Sequence, residues 1–314
     1  MAFDLQVFNK QTYTVMTETA AQDIEKFNAA SGGAVVLSAK PFEGDFDIRS
    51  QFKAIGGLVR RRNAYGSGTV ASVRLQEMLN VAVKVAAGTA PVEFERQQYE
   101  WTLREPELAA VTIGEQLAKA RLADMLNAGL TAAATAIGGN AETVLDESTA
   151  APTFGILNNG AAKMGDRSGS LKAWVLHSTV MHNLFANALA NTERLFAYDG
   201  VNVVRDPFGR VFVVTDSPAL VNSGVYTTLG LVENAVVVND NNDFNAVMEN
   251  RTGEENVRTI YQAEWSFGVG VKGYAWDMAA GGKSPTDTAI ATPTNWKKTA
   301  TSSKDTAGVL VKTK

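Results

Sequence analysis

Histidine, the side chain best suited to proton transfer and metal binding near neutral pH, occurs only twice, as His177 and His182. Both lie in AWVLHSTVMHNLF, a pattern that predicts a strand and then a helix with Ser178 or Thr179 as its N-cap. On one helix, a five-residue step sets the two rings roughly 140° apart, so they cannot share a metal ion. A helical zinc pair needs a four-residue step. The spacing therefore favours packing or helix capping over catalysis.

Two other stretches match ligand-binding motifs only in part. GVGVKG (268–273) fits the letters G-x-G-x-x-G, but it lies inside an alternating strand pattern with no helix after it. A dinucleotide-binding loop requires a helix N-terminus there, so we expect these glycines to admit a neighbouring backbone instead. NDNND (239–243) resembles a calcium loop, yet Asn245 and Arg251 occupy the places of its glycine and glutamate. We interpret this stretch as a polar turn.

A run of three arginines, Arg60, Arg61 and Arg62, precedes the turn-forming residues of GLVRRRNAYGSGTV. Surfaces that bind nucleic acid interleave basic and aromatic residues, so ion pairing with the carboxylates of another subunit explains this run at least as well. Further on, apolar residues alternate with other residues on both sides of Gly88–Pro91, in the stretch LNVAVKVAAGTAPVEFERQQYEW. This pattern predicts two strands and a turn. We therefore predict that residues 60–100 form a projecting hairpin.

The composition excludes several classes of protein. There is no cysteine, so disulfides, thiol nucleophiles and cysteine-ligated metal sites are absent. A net charge of −4 argues against a protein that coats DNA. This charge is uneven, because residues 283–314 hold six lysines and two aspartates and are therefore +4. No run reaches the ~18 apolar residues of a membrane span, and no signal peptide is apparent, so we expect a soluble protein.

A long helix over residues 106–137 is the clearest predicted element. Pro106 suits the first turn, Gly138-Gly139 ends the helix, and apolar residues recur between them at steps of three and four. It would be about 48 Å long at ~1.5 Å per residue. Its alanine-rich stripe favours close packing against a sheet or another subunit.

Shorter elements are predicted on both sides of this helix. Residues 1–16 are irregular and are predicted to form an extended arm, with a short helix beginning near Thr19. From about residue 150 the pattern is mixed α/β. A helix is predicted over about 179–190, and strands are predicted over 34–38, 173–177, 201–204, 211–215, 226–232, 235–239 and 261–273. We expect the tail from residue 283 to be extended and docked through Ile290, Trp296, Val309 and Val311.

This order of elements resembles that of the major capsid proteins of tailed double-stranded DNA phages, which have the Hong Kong 97 fold. LKAWVLHSTVMHNLFANAL and the following YDGVNVVRDPFGRVFVVTDSPAL are similar to the core passage of that family, a strand and helix before paired strands that end in a D-S-P turn. GLVRRRNAYGSGTV, VKVAAGTAPVEF and TNWKKTATSSKDTAGVLVKT are similar to one branch of these coat proteins. The resemblance covers essentially the whole chain.

The resemblance implies an α+β fold with an N-terminal arm, an extended loop, a long spine helix, and peripheral and axial domains. These parts would be the arm (1–57), the extended loop or hairpin (58–104), the spine helix and start of the peripheral domain (105–149), a mainly axial domain (150–256), and the return strand of the peripheral domain with an extended tail (257–314). It also implies a structural subunit with no catalytic residue, cofactor or metal. Pentamers and hexamers would close into an icosahedral head around the packaged genome.

The implied partners are further copies of the chain, a scaffolding protein, the portal, a decoration protein and double-stranded DNA contacted non-specifically, with no membrane. Assembly would take place in the cytoplasm of the host bacterium, and the final location would be the virion. The chain shows no large N-terminal scaffolding segment, which favours a separate scaffold or earlier cleavage. Arg60, Arg61, Arg62 and Lys84 are candidate inter-subunit contacts. We do not transfer the lysine–asparagine cross-link of some members to Lys84, because no partner asparagine aligns.

Two alternatives remain open at this point. An encapsulin-like compartment would share the fold but hold a cargo enzyme, and nucleic acid inside purified particles would distinguish a phage head from it. A cytoplasmic α/β enzyme would need a pocket that gathers acidic residues such as Asp216, Glu233 and Asp240. No set of nucleophile, base and oxyanion donor can be assembled from the sequence to support the enzyme.

Overall fold

Two large β-sheets and one long helix carry the fold, which is of the predicted α+β class. The computed structural model describes residues 5–38, 40–41, 44–52, 60–72, 74, 77–95, 106–185, 193–198, 201–205, 211–253, 255 and 257–314. The helices in this part of the chain are α1 Leu5–Ala30, α2 Pro106–Gly138, α3 Phe154–Ala162, α4 Ser178–Phe185 and α5 Asp287–Ile290.

The strands follow the predicted alternation closely. They are β1 Val35–Ser38, β2 Phe46–Phe52, β3 Glu77–Gly88, β4 Val92–Glu95, β5 Val144–Asp146, β6 Leu171–Leu176, β7 Glu193–Tyr198, β8 Val201–Arg205, β9 Val211–Thr215, β10 Val221–Asn222, β11 Val225–Val232, β12 Val236–Asp240, β13 Asn245–Arg251, β14 Arg258–Val271, β15 Tyr274–Trp276, β16 Trp296–Lys298 and β17 Gly308–Thr313. The seven strands predicted by range are therefore confirmed, as are the two predicted on either side of Gly88–Pro91. The predicted helix over 179–190 is confirmed as α4 up to Phe185, and its remainder lies outside the described residues.

The first sheet is organised around β14, whose 14 residues pair with strands on both edges. Its order is β1-β12-β14-β3-β2, and β13 and β4 also pair with β14. Apolar side chains at alternate positions are buried beneath the helices, as predicted for one face of this strand. They are Tyr261, Ala263, Trp265, Phe267, Val269 and Val271.

The turn predicted at Gly88–Pro91 is wrong, because the chain does not reverse there. Strands β3 and β4 pair with the same edge of β14, and four steps from Gly88 to Val92 face three steps of β14, which is a one-residue bulge. The Thr89 N–H donates to the Ala263 carbonyl at 2.8 Å, and the Thr89 hydroxyl accepts the Ala263 N–H at 2.9 Å. These bonds hold the Gly-Pro segment against the sheet.

The observed hairpin lies earlier in the chain and consists of β2 and β3. The two strands pair antiparallel from Phe46 opposite Val83 to Phe52 opposite Glu77. The connection that follows β2 includes residues 60–72, all of which are exposed. We call β2, β3 and their connection the ribbon. Residues 96–104, which the sequence assigned to the extended loop, lie outside the described part of the chain.

Helix α2 matches the helix predicted over 106–137 and packs against the first sheet. Small residues on one side of it let the backbone approach the strands closely. A Cβ on Gly129 would lie 2.9 Å from Val238 and 3.2 Å from Val236 of β12. This close packing is the use expected for an alanine-rich stripe.

The prediction of an extended arm over residues 1–16 is wrong where the structure describes it, because residues 5–30 form the single helix α1. Thr12, Met16, Ala20 and Phe27 are buried at helical spacing against α2 and its neighbours. A Cβ on Gly114 of α2 would lie 2.9 Å from the Thr12 carbonyl, so the two helices cross closely. Packing stabilises this helix, whose polar sequence carries little apolar periodicity of its own.

The second sheet has the order β5-β17-β11-β6-β9-β8-β7, and β10 pairs with β11. Strand β17, from the C-terminal tail, lies between β5 and β11, parallel to the first and antiparallel to the second. The docking expected for the tail is confirmed, since Ile290, Trp296, Val309 and Val311 are all buried. The tail goes further than expected, because it supplies an internal strand of this sheet.

Candidate functional site

The first candidate site, at the two histidines, forms the start of α4. His177 Nδ1 accepts the Thr179 N–H at 3.1 Å, and His177 Nε2 lies 3.4 Å from Asp216 Oδ1. The Ser178 N–H donates to Asp216 Oδ1 at 3.3 Å. Hydrogen bonds from Ser178, helped by the two histidines, hold the pKa of Asp216 below its usual value. The His177 ring and the Asp216 carboxylate therefore cap the helix, a role that the sequence assigned to Ser178 or Thr179.

The acidic stretch 239–243 joins α2 to the first sheet. Asp240, 5% exposed, forms an ion pair with Arg121 of α2, which is 4% exposed. Asp240 Oδ1 also accepts the Asn242 N–H at 2.9 Å. Burial raises the pKa of Asp240, and the Arg121 charge offsets this only in part. Asp243 accepts the N–H of Ser266 at 2.7 Å. The carboxylates are thus engaged within the fold, as expected for a polar turn.

The glycines of GVGVKG accommodate neighbouring chain segments, as expected. A Cβ on Gly270 would lie 3.2 Å from Ala82 Cβ on β3. Gly273, with φ of +77°, forms the turn from β14 to β15, where a Cβ would lie 3.0 Å from the Thr306 Cα. The motif is followed by a strand, so no helix N-terminus faces it.

The predicted inter-subunit residues occupy two different places on the ribbon. Arg60, Arg61 and Arg62 are exposed in the connection between its strands, and Tyr65 beside them is 99% exposed. Lys84 lies within β3, seven residues from the start of that strand at Glu77, or about 23 Å at ~3.3 Å per residue. Its Nζ is 3.9 Å from Asp243 Oδ2. The structure thus places the arginines in solvent and Lys84 in an ion pair of its own chain.

The three carboxylates required for the enzyme alternative have separate surroundings. Asp216 caps α4, Glu233 lies in the turn between β11 and β12, and Asp240 pairs with Arg121. Among the residues that the structure describes, no three histidine or acidic side chains are grouped where they could hold a metal ion. None of the helices in this part of the chain combines the length and the apolar character that a membrane crossing requires.

The sequence did not predict where the lysines of the tail would lie. Five of the six form ion pairs with carboxylates of the same chain. The pairs are Lys283 with Asp45 at 2.9 Å, Lys297 with Asp277 at 2.5 Å, Lys298 with Glu142 at 3.2 Å, Lys304 with Asp166 at 2.5 Å, and Lys312 with Asp146 at 3.4 Å. The charge imbalance could have indicated these ion pairs. The tail has a net charge of +4 and the whole chain −4, so residues 1–282 have a net charge of −8.

Within the described residues, the carboxylates of the candidate sites bond to groups of their own chain, and Arg60, Arg61 and Arg62 are exposed on the ribbon. These features fit a structural protein. A family model for Gp13-like proteins, described as major capsid protein 13-like, matches residues 4–310. The chain belongs to this family of major capsid proteins.

Solved structures that the comparison finds similar to this chain come from phages. The cyanophage Pam1 capsid asymmetric unit has a TM-score of 0.47 at 12% identity and covers 75% of this chain and 83% of its own. The capsid of Myoviridae phage XM1 has a TM-score of 0.46 at 11% identity, with 76% and 85% covered. A chain from Mycobacterium phage Bobi has a TM-score of 0.47 at 10% identity, with 90% and 89% covered. No curated protein sequence matches the chain.

Membership in the family establishes the function at the level of the molecule. The chain is a structural subunit of a phage head, where it assembles with copies of itself into the shell of the virion. It is not an enzyme, and the function predicted from the sequence is confirmed. The β2–β3 hairpin, the long helix and the long late strand also follow the order expected for a Hong Kong 97-type fold. Neither the compartment nor the enzyme alternative receives support.

Proposed function

We propose that this subunit forms pentamers and hexamers that close into an icosahedral head around packaged double-stranded DNA. The arginines of the ribbon would lie against a neighbouring subunit and pair with its carboxylates. The observation that carries this proposal is the set of three exposed arginines on the ribbon of a chain whose first 282 residues have a net charge of −8. Opposite charges of this kind favour association between copies of one chain.

The division into domains is part of the same proposal. The first sheet and α2 would form the peripheral domain, with β14 as its return strand. Most of the second sheet would form the axial domain, around the five-fold and six-fold axes. Supporting this division, the strands of the second sheet other than β17 come from residues 144–232, a nearly continuous part of the chain.

The remaining partners follow from the chemistry of a container. The chain and the phosphate backbone are both negatively charged and repel each other. We therefore expect the contact with packaged DNA to be weak and non-specific. A scaffolding protein, a portal and a decoration protein would complete the head, and assembly would take place in the cytoplasm of the host bacterium. Lys84 would be a lesser contact than the arginines, because it already faces Asp243.

Electron microscopy of purified particles tests the proposal directly. The protein would be expressed with its neighbouring genes, as the natural chain and as the variant R60Q/R61Q/R62Q. We expect icosahedral particles from the natural chain, and mainly free subunits or isolated capsomers from the variant. Circular dichroism should be unchanged, because these three side chains are exposed.

A matched control removes the same charge elsewhere. The variant K10Q/K163Q/K172Q changes three exposed lysines of the body, and it should form shells with the yield of the natural chain. Shells of normal yield from the arginine variant would contradict the proposed contact. If the natural chain, expressed with its neighbouring genes, gives only monomers or dimers, the result would contradict the shell geometry.

A further inference from the structure

The C-terminal segment 283–314, which we call the strap, is not accounted for by the proposed contacts between subunits. It supplies β16 and β17, and β17 occupies an internal position between β5 and β11. The other strands of the second sheet, as described, come from residues 144–232. The last strand of the chain therefore completes a sheet whose other members lie far upstream.

Several elements of the second sheet contact β17 and would lose those contacts without it. Val309, Leu310 and Val311 are buried. Among the described strands, β5 pairs with β17 and with no other, so removal of β17 leaves β5 without a ladder. Helix α3 also packs on this strand, since a Cβ on Gly160 would collide with Val311. Several elements of the second sheet are thus joined through β17.

The backbone on both sides of β17 fixes its position in the sheet. Gly308 has a φ of +147°, and a Cβ there would collide with the Gly230 carbonyl of β11. At the other end, the Lys314 N–H donates to the Ala150 carbonyl at 2.9 Å. The Glu147 N–H donates to the Lys312 carbonyl at 3.0 Å. These contacts allow one register, which an incoming strand must find.

The charges of the strap complement the surface on which it lies. Lys304 pairs with Asp166, which follows α3 in the chain, and Lys312 pairs with Asp146, the last residue of β5. The Lys304 ammonium is the main cause that holds the pKa of Asp166 below its usual value. Exposed ion pairs contribute little to the stability of a folded protein, but opposite charges accelerate the approach of two surfaces.

We infer that the strap closes the second sheet as the last step of folding, and that its lysines guide β17 into place between β5 and β11. The buried apolar residues of β17 supply the stability of the closed state, and the ion pairs supply speed and register. The inference concerns contacts within one chain. It is therefore independent of the proposed contacts between subunits.

The order of folding is measured by pulsed hydrogen exchange and mass spectrometry during refolding of the full chain. The protein concentration is kept below that at which particles form. We expect amides of β6 and β9 to gain protection first, and those of β17 and β5 to gain protection together in the slowest phase. Protection of β17 as early as that of β6 and β9 would overturn the inference.

The guiding role of charge is measured with two variants of equal charge. K304Q/K312Q removes two strap lysines, and K163Q/K172Q removes two exposed lysines just outside the strap contacts. At low salt, we expect the first variant to slow the last phase about threefold or more, and the second to leave it unchanged. The difference should vanish near 1 M salt, where the Debye length is only about 3 Å. Equal rates for the two variants at low salt would refute the guiding role.

Discussion

Arg121 of α2 and Asp240 of β12 form a buried ion pair where the long helix meets the first sheet. The Arg121 guanidinium also lies 5.8 Å from the centre of the Phe244 ring, which in turn packs against Trp265. Asp240 has a second bond to the Asn242 N–H, which fixes the polar turn beside it. One pair of side chains thus sets the position of the helix, the sheet and the turn. The two residues are 119 positions apart in the sequence, so no local pattern predicts that they pair.

At this scale we predict that Arg121 and Asp240 stabilise the fold as a coupled pair. Either R121M or D240N should lower the free energy of unfolding by about 3–5 kcal/mol, because each leaves one buried charge or donor without its partner. The double variant should lose clearly less than the sum of the two. Urea unfolding of the four proteins measures the coupling. Strictly additive losses would show that the two side chains do not act as a pair.

At the scale of elements, local periodicity predicted the strands and helices that have a regular apolar pattern. It missed the elements whose structure depends on packing against other parts of the chain. The alternation in β14 and the apolar steps in α2 were sufficient to predict both elements. Helix α1 was missed over residues 5–16, because its buried positions make contact only once α2 is present. The bulge at Gly88–Pro91 was mistaken for a turn, since Gly and Pro indicate a reversal and the Thr89 bonds to β14 cannot be seen locally.

Helix α3 offers a prediction about packing with its own control. Gly160 faces Val311 of β17 so closely that a Cβ cannot fit without movement, whereas a Cβ on Gly155 would have only an ordinary contact at 3.7 Å. Glycine to alanine in a helix normally stabilises by about 0.5–1 kcal/mol. We therefore expect G155A to be neutral or stabilising and G160A to destabilise by about 1–3 kcal/mol. Thermal unfolding compares the two, and a stable G160A would show that the contact yields easily.

Across the whole molecule, the net charge differs between two parts of the chain: residues 1–282 are −8 and residues 283–314 are +4. The basic tail follows from the charge imbalance, and the run of three arginines can be read directly from the sequence. The sequence alone could not show that five tail lysines meet carboxylates of their own chain, because this depends on where β17 enters the second sheet. The two groups of basic residues therefore have different surroundings. The arginines of the ribbon remain in solvent, and the lysines of the strap are paired within the subunit.

This charge pattern predicts how stability depends on acid. Lys304 lowers the pKa of Asp166, and Lys297 lowers that of Asp277, relative to the unfolded chain. A lowered pKa in the folded state gives stability that is present above the ordinary pKa and is lost as pH falls below about 4. Asp240 acts in the opposite sense, because its pKa is raised.

We expect the free energy of unfolding to fall between pH 5 and pH 3, and to fall less steeply in K304Q, whose Asp166 has lost its partner. Urea unfolding across this range measures both slopes. The control K163Q should keep the slope of the natural chain, because Asp166 retains Lys304 in that variant. Identical slopes for all three proteins would show that the exposed pair has no energetic effect.

The position of β17 also has a consequence for protein synthesis. A ribosome synthesises β17 after the other described strands of the second sheet, so the gap between β5 and β11 stays open while the intervening residues are made. A subunit of this design completes its second sheet only once residues 308–313 have left the ribosome. A chain whose synthesis stops before residue 308 lacks the strand, retains an open sheet edge and is exposed to proteases. The fold thereby exposes to degradation any chain that lacks β17.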